Sequence, residues 1–123
     1  FDYVVRFNKN ALNLVLINII SNSIKFTKEN GKIEFGIRLE SSFLTIYVKD
    51  NGIGIAPERL EIIESEKEIS PILGTNKEKG AGIGLKLCKE TFRKFGIKLN
   101  ISSQPNEGSL FYFVLDLNDT IIQ

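Results

Sequence analysis

Asn18, Asn22 and Lys25 recur at i, i+4 and i+7, the spacing that lines side chains along one face of a helix. The residues around them are largely apolar, so this polar line needs partners. A buried amide left without a hydrogen bond costs about 1–3 kcal/mol; the alternative is a solvated face with an accidental pair of asparagines. Further on stands Asp50-Asn51-Gly52-Ile53-Gly54. A carboxylate followed by two glycines leaves the backbone free to crowd a flat ligand, although Asp-Asn-Gly is also a common turn. A second box reads Gly80-Ala81-Gly82-Ile83-Gly84-Leu85. Glycines just before a helix present unhindered N–H groups and the positive end of the dipole to an anion. The Gly-x-Gly-x-Gly spacing is not the Gly-x-Gly-x-x-Gly of a dinucleotide fingerprint, and there is no Gly-Lys-Ser/Thr of a P-loop.

These residues must be held by elements, and hydrophobic periodicity supplies them. Asn8 to Thr27 contains no proline or glycine and reads as one long, mostly buried helix. Leu12, Leu16, Ile19 and Ile20 form its core stripe, widened by Ile17 and Ile24. Tyr3-Val4-Val5 suggests a short edge strand before it. Asn30-Gly31 has turn chemistry. Lys32 to Leu39 alternates Ile33, Phe35, Ile37 and Leu39 against polar residues, and Phe43 to Lys49 returns with Leu44, Ile46 and Val48 inward. So short a link predicts an antiparallel hairpin. Pro57 opens a short helix through Leu60-Glu61-Ile62-Ile63. Leu85, Cys88, Phe92 and Phe95 make one stripe of a further helix capped by Gly96. Ile97, Leu99 and Ile101 alternate as a strand. The closing strand, Ser109 to Leu117, carries Phe111, Phe113, Leu115 and Leu117 on one side. Leu110, Tyr112 and Val114 on the other side suggest a central, two-sided position. The expected architecture is an α/β sandwich, a mixed sheet of about five strands with three helices on one face.

At 123 residues the chain is one domain, spanning 1–123. A formal charge of +1 implies no strong pull toward nucleic acid or a membrane surface. Asn13 and Asn18 break the longest apolar run, so nothing is expected to span a bilayer, and no signal peptide is evident. A first residue of Phe rather than Met suggests an excised domain. The single cysteine, Cys88, sits among helical residues and reads as a core filler. There is no histidine.

The asparagine helix, the two glycine boxes and Gly108-Ser109 before the last strand stand in an order and at separations that mark a known family. From about Asn10 to Leu117 the chain resembles the ATP-binding catalytic domain of sensor histidine kinases. The superfamily (GHKL, with the Bergerat-type fold) is shared with DNA gyrase and the heat-shock chaperone ATPases. The resemblance implies that Asp50 accepts a hydrogen bond from the adenine amino group, with Gly52 and Gly54 shaping the base pocket. Asn22 would coordinate Mg²⁺ through its amide oxygen, a hard neutral ligand. Asn18 and Lys25 would hold phosphate oxygens, and Gly80, Gly82, Gly84 and Leu85 would close on the phosphates. The nucleotide would lie between the first and last helices, under a lid at residues 56–79. Lys77 and Lys79 in that lid could reach a terminal phosphate or simply be solvated. The family's lid usually carries phenylalanine and this one has none; Ile62, Ile69, Ile72 and Leu73 are the apolar residues there.

Asn18 bears on the reaction. Relatives that hydrolyse ATP carry glutamate there to activate water, whereas an amide has no basic lone pair. The resemblance therefore implies a protein-histidine kinase module. It would bind Mg-ATP and donate the γ-phosphoryl group to a histidine on a separate helical hairpin domain, with a response regulator downstream. A cytoplasmic setting follows, as part of a membrane-bound sensor or otherwise, with no nucleic acid and no direct membrane contact by this domain. The alternatives are an ATP-sensing regulatory module of the same fold, favoured by the phenylalanine-free lid, and a gyrase-like ATPase, disfavoured by Asn18.

Overall fold

A computed structural model of the chain describes residues 7–65 and 82–117. Asn8 starts the first helix, its Oδ1 accepting the Ala11 N–H at 2.9 Å. This cap satisfies one of the orphan donors of the first turn. Helix α1 runs Lys9–Phe26 and ends at Thr27. Strands β1 (Ile33–Glu40) and β2 (Phe43–Asp50) follow, then helix α2 (Pro57–Glu64) with proline at its start, and helix α3 (Gly82–Arg93). Strands β3 (Asn100–Gln104) and β4 (Gly108–Asp116) close the chain. Gly96, at φ +74°, ends α3 as expected: its N–H reaches the Arg93 carbonyl and the Ile97 N–H reaches Phe92.

Among the described residues the sheet has four strands in the order β1-β2-β4-β3, and every pairing is antiparallel. The expectation was a mixed sheet of about five. The strand expected at Tyr3–Val5 lies outside the described residues. The hairpin of β1 and β2 pairs Ile33 with Asp50 and Glu40 with Phe43. The helices lie on the inner face, α3 contacting both α1 and α2, and α1 resting on β2. Between the layers, Val15 and Ile19 of α1 meet Leu85, Cys88 and Phe92 of α3, and Ile46, Val48, Phe111, Phe113 and Leu115 of the sheet. Phe92 packs edge-on against Phe113 at 4.8 Å between centroids, and Phe7 meets Phe92 and Phe95.

Four sequence expectations are modified. The buried line of α1 is Ala11, Val15, Ile19 and Ser23, while Leu12, Leu16 and Ile20 only flank it. Ile17 and Ile24 are 64% and 63% exposed, so the helix is half-covered rather than mostly buried. Ile33, Phe35 and Ile37 share the inner face with Val48 and Ile46, yet they are exposed. The helix layer sits over β2 and does not reach this edge strand. β4 is central because it pairs on both sides, not because both faces are covered; Val114 is exposed on the open face. The segment expected to alternate from Ile97 enters the ladder only at Asn100, although Leu99 is buried.

Cys88 is a core residue, fully buried, and burial pushes its thiol up to about 12 from an ordinary 9.0. The unfolded thiol ionises near its ordinary value while the folded one stays protonated. Between those two values the unfolded state therefore binds fewer protons, and stability falls as pH rises. Denaturant unfolding is expected to show the Cys88 contribution intact at neutral pH and declining from about pH 9 toward 12. Cys88→Ala should flatten that decline, and thiol reagents should label the native chain only as it opens.

Candidate functional site

Asp50 ends β2 on the inner face and is 6% exposed. Its Oδ1 accepts the Gly52 N–H at 2.9 Å and the Ser109 N–H at 3.2 Å, and its Oδ2 accepts the Ser23 hydroxyl at 2.9 Å. A carboxylate has about four acceptor positions, so three are used and one remains for a further donor. The loop after it is pinned on both sides. The Ile53 N–H caps the Phe26 carbonyl at the end of α1, the Ile53 carbonyl takes the Asn106 N–H, and the Ile55 N–H reaches Ser103 Oγ. Gly54 stands at φ +76°, and a Cβ there would lie 2.2 Å from the Gln104 carbonyl oxygen. This is a position only glycine fills. Gly52 is likewise packed on the Phe26 carbonyl. Asn51 donates its N–H to Lys32 and accepts the Lys32 N–H, extending the hairpin by one rung.

Along α1, Asn18 and Asn22 are half-buried. Asn18 Nδ2 donates to the Leu14 carbonyl and Asn22 Nδ2 to the Asn18 carbonyl, each at 2.8 Å. With the amide N–H groups turned back along the helix, the amide oxygens are left for other partners. Asn18 Oδ1 faces α3: a Cβ on Gly84 would lie 2.7 Å from it. Lys25 is exposed, its Nζ over the Phe26 ring at 5.3 Å from the centroid. The fold thus gathers Gly84, Asn18, Asn22, Ser23, Asp50 and Gly52 along α1. From Asn18 to Phe26 that is about 12 Å of helix axis.

Gly82 and Gly84 lie in the first turn of α3. Leu85 is fully buried in the core, so its backbone alone is available to a ligand. Lys77, Lys79 and Gly80 fall outside the described residues, as does most of the expected lid; its described part is α2, with Ile63 buried and Ile62 exposed. Sequence reasoning missed Ser23. Its signal was a hydroxyl at the fourth position of the buried stripe Ala11-Val15-Ile19, 1% exposed and bonded to Asp50. Thr27 Oγ1 is buried beside Gly31 without a hydrogen-bond partner among the described residues.

The Gly84 contact yields a prediction. Gly84→Ala adds a better helix former, worth about 1 kcal/mol, but its Cβ must displace the Asn18 amide. Thermal unfolding should be unchanged or slightly raised, while calorimetric Mg-ATP affinity falls several-fold. Unaltered affinity would show that the Asn18 orientation is immaterial to binding.

Among the described residues, no group of three His, Cys, Asp or Glu could hold a metal, and no helix is long and apolar enough to cross a membrane. Comparison with known proteins matches residues 7–119 to the family described as histidine kinase-, DNA gyrase B-, and HSP90-like ATPase. Sporulation kinase C of Bacillus subtilis is 34% identical over 110 residues, covering 89% of this chain and 24% of that protein. Adaptive-response sensory kinase SasA of Prochlorococcus marinus is 32% identical over 113 residues, covering 91% and 29%. The catalytic domain of histidine kinase ThkA superposes with a TM-score of 0.66 at 27% identity, over 89% of this chain and 69% of that one. The chain spans about a quarter of the length of the two kinases matched by sequence. Family match, relatives and fold agree: the chain belongs to the histidine kinase-, DNA gyrase B- and HSP90-like ATPase family, as an ATP-binding catalytic domain of the sensor histidine kinase type.

Proposed function

We propose that this domain binds Mg-ATP and presents the γ-phosphoryl group to a histidine on a separate helical hairpin domain, in a two-component phosphorelay serving a response regulator. The observation that carries the reading is the acceptor arithmetic at Asp50. Three donors hold the carboxylate in place, and one position remains for the amino group of adenine. Ser23 fastens that carboxylate to the helix whose adjacent face bears Asn18, Asn22 and Lys25. Base recognition and phosphate recognition are thereby tied to one rigid element.

The donor set suits Mg²⁺ rather than a metal needing a protein cage. That ion keeps several waters, takes other oxygens from phosphates, and needs only one or two protein ligands. Asn22 would supply its amide oxygen, since its amide N–H is already committed to the Asn18 carbonyl. When bound, the ion neutralises charge between the phosphates. Asn18 and Lys25 would orient phosphate oxygens, and the first turn of α3 would offer its N–H groups to them. Nothing in Asn18 can take a proton from water. The phosphoryl group therefore waits for an outside nucleophile, and this chain has no histidine to serve as one. A cytoplasmic setting fits a kinase of this kind.

The test is calorimetry of ATP binding with and without Mg²⁺. Binding should tighten with the ion, and Asn22→Ala should erase that gain while leaving a folded chain. A chain that binds no adenine nucleotide would overturn the proposal. A second reading, ATP sensing without transfer, is favoured by the absence of phenylalanine between residues 56 and 79.

A further inference from the structure

A cavity of about 410 Å³ opens between α2, α3 and the segment leading into β3. Glu64, Lys89, Arg93, Ile97, Lys98 and Leu99 line it. Lys89 and Arg93 are four apart on α3, and helical spacing puts them on the flank opposite Gly84 and Cys88, which face α1. The cavity is therefore separate from the nucleotide-site residues. Ile97 and buried Leu99 give it an apolar floor.

Its charge is unbalanced. Among the described residues three cations line it, with Glu64 as the single carboxylate. Lys86, next along the same flank, is 5% exposed and already committed to the Ile62 and Ser65 carbonyls at the end of α2. Lys89 donates to the Leu99 carbonyl at 2.8 Å, which fixes its ammonium at the cavity wall and leaves two N–H groups. Burial first, and then Lys98, Arg93 and Lys86, hold the Lys89 pKa below its ordinary value, opposed by Glu64. Such a cluster gains from an anion that replaces lost hydration and screens the mutual repulsion. Arg93 offers a planar fork matched to a phosphate group, and the two lysines add point charges on either side.

We propose that this α2–α3–β3 cavity is a second site, distinct from the nucleotide cluster, that takes a small soluble phosphate-class polyanion between Arg93, Lys89 and Lys98. Glu64 at its edge selects against singly charged anions, because its repulsion is overcome only by a ligand engaging several cations at once.

The test is a titration of the labelled chain with pyrophosphate, without metal, followed by amide NMR, alongside Arg93→Gln/Lys98→Gln. Both substituted residues are exposed, so that variant keeps its core. The expected result is a saturable shift centred on Glu64, Lys89 and residues 97–99, weakened at least about tenfold in the double variant, since charge-assisted hydrogen bonds are lost. The Lys89 ammonium should titrate at higher pH with the anion bound, which a merely structural lysine would not do. Shifts confined to Asn18–Lys25 and the first turn of α3, or wild-type affinity in the double variant, would overturn the proposal.

Discussion

Asp50→Asn is expected to weaken ADP binding by about ten- to a hundred-fold, the equivalent of one charge-assisted hydrogen bond of about 1.5–3 kcal/mol, in a chain that remains folded. The variant can keep its internal bonds. The new amide oxygen replaces Oδ1 and accepts the Gly52 and Ser109 N–H groups, while the amide nitrogen faces Ser23, whose hydroxyl turns to accept. What it cannot keep is the remaining acceptor position, because the adenine amino group then meets an N–H. Asp50→Ala is a different experiment. It strands three buried donors, each costing about 1–3 kcal/mol, so it should unfold the domain at lower denaturant as well as abolish binding. Ser23→Ala should fall between, loosening the carboxylate while leaving both backbone donors in place. Calorimetry on each variant, paired with thermal unfolding, separates affinity from stability. Unchanged ADP affinity in folded Asp50→Asn would remove this carboxylate from base recognition.

The second large effect is one of rate. The isolated domain should bind Mg-ATP and release phosphate only very slowly. General-base assistance contributes about 10²–10⁴-fold to such a step, and the Asn18 amide cannot provide it. Its N–H is bonded to Leu14 and its oxygen packs against Gly84, so no neighbouring group turns it into a base. Asn18→Glu puts a carboxylate where the family resemblance implies that hydrolysing relatives carry one. Only modest hydrolysis is expected from it, because the attacking water must also be positioned. The carboxylate would moreover lose the Leu14 bond and crowd the α3 contact. Brisk Mg²⁺-dependent phosphate release from the wild-type domain, near the low end of ordinary turnover at about 1 per second, would mean that another group acts as base.

Much of this arrangement was readable in the sequence, for physical reasons that also mark its limits. Two helix boundaries came from a proline and a glycine, each acting within one turn, and Pro57 and Gly96 do what their chemistry dictates. Strand alternation gave the hairpin and its inward residues. Helix phase was harder, because apolar residues occupy more than half the circumference of α1. Local periodicity could not tell which third met the sheet, so Ile17 and Ile24 were assigned to the core although they are exposed. The same limit applied to β1, where an apolar face predicts a covering layer but not whether a helix reaches it. Ser23 was invisible for the opposite reason. A serine in a buried stripe reads as a weak core residue until its partner, 27 residues away, is brought beside it. Asp50 stands at the end of β2, as its sequence position implies, but the bonds from Ser109 and Ser23 that hold its carboxylate are supplied only by tertiary structure.

The measurement that bears most directly on the central claim uses γ-labelled ATP. The domain is mixed with Mg-ATP in the presence and absence of a separately produced helical hairpin carrying the phosphoacceptor histidine. The account predicts label on the hairpin, stable to alkali and lost in acid, with little free phosphate when the domain is alone and little transfer from Asp50→Asn or Asn22→Ala. Rapid phosphate release by the domain alone, with no label reaching the hairpin, would contradict it.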